Sequence, residues 1–218
     1  MQELFESLYN LNESDFFSRV NLHIHTTCSD GIIEPQEVLK QAKELNLKVI
    51  SITDHNSVQA YNQISSGNYE GLQLISGVEF DCWHKSNFIH ILGYGIDVHN
   101  PGIQQLCAKN SNATKLDIIR FFNKRNAGKV IQSIKGAGGI AVLAHPACCW
   151  NFNIKKMIME LMTYGLEGIE AYYPYIRHRG VVKFHTVQKI IDIAKDLNLV
   201  MTGGTDCHNK DLKVKGIL

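Results

Sequence analysis

The feature that most constrains this chain is a recurrence. Seven short apolar segments each carry, or run into, a histidine or an acid. Val20 to His25 alternates apolar and polar residues with period two and reads as a strand. Leu47 to Thr53, Leu72 to Phe80, Phe88 to Tyr94, Ile140 to Ala144, Gly168 to Tyr173 and Leu199 to Gly203 are apolar, often β-branched runs of strand length. Helical patterns separate most of them. Pro35 opens one that runs to about Asn46, with Val38, Leu39, Ala42 and Leu45 on one face. Others run from about Ala113 to Lys135 with an interruption near Asn126 to Gly128, from Ile154 to Tyr164, and from Val181 to Leu197. Asn56 and Ser57 read as caps of a short helix. Such alternation predicts an α/β fold with a largely parallel sheet and helices outside it, closed as a barrel or open and doubly wound.

In a parallel barrel the C-terminal strand ends converge on one face. Here those ends read His23-Ile24-His25, then Ser29-Asp30-Gly31; Thr53-Asp54-His55; Gly77-Val78-Glu79; Ala144-His145-Pro146; and Thr205-Asp206-Cys207-His208, while the fourth strand contains His90 and the sixth carries Glu170. His23 and His25 lie two apart on a strand, so both imidazoles leave one face. Imidazole nitrogen with carboxylate oxygen suits zinc, manganese or iron, and suits magnesium or calcium poorly. The candidate ligands His23, His25, Asp30, His55, Glu79, His90, His145, Asp206 and His208 exceed what one ion needs, which points to two or three divalent ions sharing ligands. Such a centre is net positive and attracts an anion such as phosphate. Asp54 is placed to orient a ligand imidazole.

Other classes are disfavoured by composition. Lys and Arg total 22 against 21 Asp and Glu, so there is no bulk basic field for long nucleic acid. No apolar run reaches membrane-span length, and Met1 to Phe17, with Glu3, Glu6, Glu13 and Asp15, lacks the pattern of a signal peptide. The six cysteines are scattered without a C-x-x-C pair, which reads as reduced thiols in a cytoplasmic protein. No G-x-x-x-x-G-K-[ST] phosphate loop is present.

Six segments in order, His23-Ile24-His25-Thr26, Ser29-Asp30-Gly31, Ile52-Thr53-Asp54-His55, Gly77-Val78-Glu79, Leu143-Ala144-His145-Pro146 and Thr205-Asp206-Cys207-His208, closely resemble the polymerase and histidinol phosphatase (PHP) family. The resemblance runs from about Val20 to the C-terminus. It implies a distorted (β/α)7 TIM-like barrel with a trinuclear metal centre that hydrolyses phosphoesters. It assigns His23, His25, Glu79 and Asp206 to a first ion. Glu79 bridges to a second ion, completed by His90 and His145, and Asp30, His55 and His208 hold a third. The implied nucleophile is a hydroxide held between ions, with no protein nucleophile.

The expected organisation is a single domain over residues 1–218, with a helical segment at 1–19 and a short insert-like helical region at 98–139. The barrel's last helix is either absent or supplied by Met1 to Arg19. Similarity to small stand-alone members implies a nucleotide, or a short oligonucleotide with a 5′-phosphate, as substrate, and no membrane partner. Histidinol phosphate and phosphotyrosine are alternatives. Arg177 and His178, after the sixth strand, are candidates for gripping phosphate at the site mouth. Glu170 is left unassigned, and His84, His99 and His185 read as surface or edge histidines. Two other classes compete: a metal-binding structural module without turnover, and a hydrolase of carbon–nitrogen bonds, since H-x-H on a first strand also occurs in amidohydrolases.

Overall fold

The computed structural model describes residues 2–64, 69–122, 124–175 and 183–212. In chain order its elements are α1 (Gln2–Tyr9), α2 (Glu13–Ser18), β1 (Val20–Asn21), α3 (Pro35–Glu44), β2 (Val49–Ile52), α4 (Ala60–Gln63), β3 (Gln73–His84) and β4 (Asn87–Tyr94). There follow α5 (Pro101–Leu106), α6 (Asn112–Lys115), α7 (Asp117–Phe121), α8 (Ala127–Gly136), β5 (Ile140–Leu143), α9 (Ile154–Met162), β6 (Gly168–Tyr172), α10 (Val187–Asp196) and β7 (Val200–Gly203). The strands form one seven-stranded sheet in sequential order.

The sheet curls until its edges meet. Beyond β1, the Leu22 N–H donates to Gly203 O at 3.1 Å and the His25 N–H to Cys207 O at 3.0 Å. Gly204 permits this closure. A Cβ there would lie 2.4 Å from the His23 backbone nitrogen, closer than real Cβ atoms approach. The result is the expected distorted barrel.

Four neighbouring pairs are parallel, but β4 is antiparallel to both β3 and β5. The sheet is thus largely parallel, as expected, with β4 the exception. The cause is local. Only Lys85 and Ser86 separate β3 from β4, and Lys85 takes a left-handed φ of 54°. A two-residue link closes a hairpin and cannot support a parallel crossover.

The helices follow their sequence signals with two further corrections, the first being that the helix expected from Val181 to Leu197 begins only at Val187, where Thr186 caps it by accepting from the Lys189 N–H. In α3 the first-turn Pro35 and buried Val38, Leu39 and Ala42 match the amphipathic pattern, and Asn46 follows at φ 57°. The helical stretch from Ala113 to Lys135, expected to be interrupted near Asn126 to Gly128, is interrupted there and once more, giving α6, α7 and α8. Leu116 is extended at φ −103°, ψ 113° and separates the first two, while Asn126 caps α8 by accepting from the Lys129 N–H. The segment before β1 packs as part of the barrel. Leu8 of α1 and Phe16 of α2 are buried in one cluster with Leu22, Tyr172 and Val200, and Phe16 stacks on Tyr172 at 5.3 Å between ring centroids. Among the described residues no helix is long and apolar enough to cross a membrane.

Candidate metal centre

Glu79, on β3, is the hub. Its Oε2 lies 3.2 Å from the Nε2 atoms of both His23 and His25 and 3.4 Å from His55 Nε2. Its Oε1 lies 3.0 Å from His90 Nδ1 and 3.1 Å from His145 Nε2. Asp206 Oδ1 reaches the first pair, at 3.0 Å from His25 Nε2 and 3.4 Å from His23 Nε2. Asp30 sits on the other side, 3.1 Å from His208 Nε2, 3.6 Å from His25 Nδ1 and 3.8 Å from His55 Nε2. The fold thus gathers all nine sequence-derived candidates into one cluster. Period two on the strand puts His23 and His25 side by side, with Nε2 atoms 3.1 Å apart.

The donor set and its orientation fit divalent cations. Three groups each bring one ligand atom per residue within 4.8 Å of the others: His23, His25, Glu79 and Asp206; His25, Asp30, His55 and His208; and His55, Glu79 and His90. Several imidazoles are also anchored from outside the cluster. His23 Nδ1–H donates to Glu170 Oε1 at 2.8 Å, leaving Nε2 to face inward. Asp81 Oδ1 lies 3.1 Å from His55 Nδ1 and 3.2 Å from His90 Nε2, behind the nitrogens that face Glu79. His208 Nδ1–H donates to the Asp206 carbonyl at 3.0 Å. A carboxylate or carbonyl behind a ligand imidazole fixes its tautomer and raises its basicity, the usual arrangement around bound metal.

Electrostatics agree with that reading. Burial opposes charge on His23, but Glu170, Glu79 and Asp206 together hold its pKa well above the usual imidazole value. In the same way Asp206 and Glu79 outweigh burial at His25 and lift it to about 10. His55 is the exception: burial dominates and lowers it. Burial would raise the carboxyls of Glu79, Asp30 and Asp81, yet the surrounding imidazoles hold all three below the carboxylate range. Negative charge concentrated among inward-facing nitrogens is a cation site. Backbone strain concentrates here too, with His145 at φ 30° and Asp206 at φ 46°.

Four residues of the site were not assigned from sequence. Glu170, read there as unassigned, is fully buried and ties two candidates together: besides His23, its Oε2 accepts from the His145 N–H at 2.9 Å. Asp81 follows Glu79 by two residues on the same strand face, the same signal that exposed His23 and His25. Arg120, from α7, is buried with Nη1 2.7 Å from Asp30 Oδ2 and Nε 3.8 Å from Asp81 Oδ2, and it also pairs with Asp117. No strand pattern could place it. The Tyr173 hydroxyl donates to Asp206 Oδ2 at 2.7 Å, and burial followed by the Asp206 charge keeps that hydroxyl protonated.

Asp54 acts one bond further back than expected. Its carboxylate accepts from the Thr26 N–H at 2.7 Å, from the Thr26 hydroxyl and from Ser29, whose Oγ lies 3.5 Å from His25 Nδ1. It shapes the loop that presents Asp30. His84, expected at the surface, is buried and bonded to Glu160 Oε2 at 2.8 Å, and His185 is buried as well. Arg177 and His178 lie outside the described residues.

The cluster forms the floor of a cavity of about 830 Å³, with Arg120 and Tyr173 among its walls. A model of the PHP domain matches residues 21–136, more than half of the chain. The chain belongs to the PHP family. Among relatives of this PHP chain, a 5′-3′ exoribonuclease Rnm of Salmonella typhimurium is 31% identical over 104 residues, 46% of this chain. That match spans only 36% of the exoribonuclease. A phosphoribosyl 1,2-cyclic phosphate 1,2-diphosphodiesterase of Eggerthella lenta is 22% identical over 261 aligned positions, covering 87% of this chain and 94% of that protein. A Bifidobacterium adolescentis structure assigned as a metal-dependent phosphoesterase superposes with a TM-score of 0.71, covering 88% of both chains at 19% identity. This last likeness speaks for the shared PHP fold.

Proposed function

We propose that this chain is a metal-dependent phosphoesterase with a nucleotide, or a short oligonucleotide carrying a 5′-phosphate, as substrate. The observation that carries the reading is the convergence of five imidazoles on the two oxygens of Glu79, with Asp30, Asp206 and His208 closing the cluster. In this reading residues 1–218 act as one domain. His23, His25, Glu79 and Asp206 hold one ion; Glu79, His90 and His145 hold a second; Asp30, His55 and His208 hold a third. Manganese, zinc or iron suits these donors. When bound, the ions supply a water nucleophile at neutral pH and positive charge against the phosphoryl oxygens.

The chain's own groups do the positioning. Glu170 sets the tautomer of His23 by accepting from Nδ1–H, so its Nε2 faces the cluster, and Asp81 places a carboxylate behind His55 and His90. Tyr173 holds Asp206 from behind. Arg120 brings a buried cation to the cavity wall, where a phosphoryl oxygen can meet it, and its pairing with Asp30 and Asp117 fixes its orientation. The similarity to an exoribonuclease and to a phosphoribosyl cyclic phosphate diphosphodiesterase supports phosphate esters of ribose compounds as substrates.

The test is phosphate release from AMP, a 3′,5′-bisphosphonucleotide, a short 5′-phosphorylated oligonucleotide, histidinol phosphate and phosphotyrosine, beside a panel of amides. Protein loaded with manganese, zinc or iron is compared with Asp206→Ala. Release that requires metal and disappears in the variant is expected. Amide cleavage without phosphate release, or no turnover of any substrate by protein with metal bound, would overturn the reading.

A further inference from the structure

A second cavity, of about 860 Å³, adjoins the first, and His90, Arg120 and His145 line both. Its walls are aromatic. Trp83 and Phe88 come from the β3–β4 hairpin, Phe121 from α7, and Trp150 from the stretch after the 3₁₀ turn Pro146–Cys148. The Trp83 ring lies 5.3 Å from Phe88 and 5.0 Å from Phe121, and Phe88 meets the His90 ring edge-on at 5.2 Å. Much of this surface faces outward: Trp150 is 76% exposed, Phe122 72% and Ile118 68%. Exposed apolar surface of this kind beside a polar centre marks a binding site. Ser86 and Asn87 add a hydroxyl and an amide to the same groove.

We propose that this groove receives the nucleobase of the substrate while the phosphoester lies over the histidine and carboxylate cluster. The proposal rests on the phosphoesterase reading of the adjoining site. Continuity decides the occupant. Because His90, Arg120 and His145 belong to both cavities, a molecule reacting in the first projects its leaving group into the second. Flat aromatic walls favour a flat π-system, and stacking on them tolerates any base. The hydroxyl of Ser86 suits the polar edge of a base better than it suits an aliphatic chain, while the Asn87 amide, held between the His84 carbonyl and Asn151, fixes the hairpin end of the groove.

The chain contains two tryptophans, Trp83 and Trp150, and both line the groove. Their fluorescence therefore reports occupancy whether or not metal is bound. AMP is titrated against ribose 5-phosphate, which has the same phosphate and sugar and no base. Phosphate release from both is then measured on metal-loaded protein and on Trp150→Ala and Phe121→Ala. The expected result is saturable quenching by AMP and none by ribose 5-phosphate. It includes a kcat/KM for AMP about tenfold or more above that for ribose 5-phosphate, a ratio that collapses in both variants. Trp150 is mostly exposed, so its variant keeps the test valid if Phe121→Ala misfolds. Equal quenching by the two compounds, or equal kcat/KM, would overturn the proposal. Selective quenching by AMP with no phosphate released from either compound would support the base groove and count against a mononucleotide as the substrate, while turnover across the wider phosphoester panel separately decides the phosphoesterase reading.

Discussion

Glu170 Oε1 accepts a hydrogen bond from His23 Nδ1 at 2.8 Å, and both side chains are fully buried. One carboxylate on β6 thereby fixes the tautomer of an imidazole at the opposite end of the chain order, beside the seam where the barrel closes. The same carboxylate accepts the amide of His145, which its left-handed backbone turns toward β6.

Glu170→Gln keeps an acceptor but removes the charge that makes His23 a strong ligand. Metal affinity is expected to fall about 10- to 100-fold. Competition titration against a zinc chelator measures this directly. An unchanged affinity would mean that His23 is oriented by its strand alone.

Arg120 is the cation that no strand pattern announced. Arg120→Ala is expected to lower kcat by about 100-fold or more, the scale of losing one fixed donor at a developing charge. Arg120→Lys should restore little, because an ammonium cannot span Asp30 and Asp117 as the guanidinium does. Steady-state phosphate release, with circular dichroism to verify folding, checks both. Full activity in the lysine variant would reduce Arg120 to a point charge.

Metal loading should release protons. In the metal-free protein, burial opposes charging of His25, but Asp206 and Glu79 prevail and its pKa stands at about 10. His23 is likewise raised. Both are therefore protonated at neutral pH, whereas a ligand nitrogen must be neutral. The sign follows: raising the pH removes those protons and tightens apparent metal binding. Calorimetry in buffers of different ionisation enthalpy should register the release. Binding of the metal also stabilises the fold, by about 2.7 kcal/mol at a free concentration 100 times Kd, so chelation should lower Tm. PH-independent affinity would contradict the charge state described here.

The helices before β1 belong to the core. Phe16 is fully buried against Tyr172, so Phe16→Ala should destabilise the protein by about 3–5 kcal/mol, measured by urea unfolding. A loss below about 1 kcal/mol would show that this segment only rests on the barrel.

The metal ligands were legible because they obey short-range rules. His23 and His25 share a face by strand periodicity, and the other candidates except His90, which lies within β4, fall at or just past the ends of apolar runs, which a barrel collects on one rim. Asp81 was legible by the same rule, two residues after Glu79, but it stands inside a strand that continues past the expected end at Phe80. The hairpin reversal at Lys85 and Ser86 was also local, and the lack of a helical pattern between the third and fourth apolar runs was its only trace in the sequence.

Sequence alone determined the succession of strands along the chain, the buried face of α3, and the set of nitrogen and oxygen donors. These depend on periodicity, capping and side-chain chemistry, which act over a few residues. Tertiary structure decided which nitrogen of each imidazole faces the cluster. It also decided that Glu170 and Asp81 stand behind those imidazoles, and that Arg120 and the aromatic groove flank the centre. Those choices depend on how α7 and the hairpin pack beside the sheet, and on where the closing seam brings residues 22–25 against 203–207. Contacts between residues far apart in the chain leave no period in the sequence that makes them.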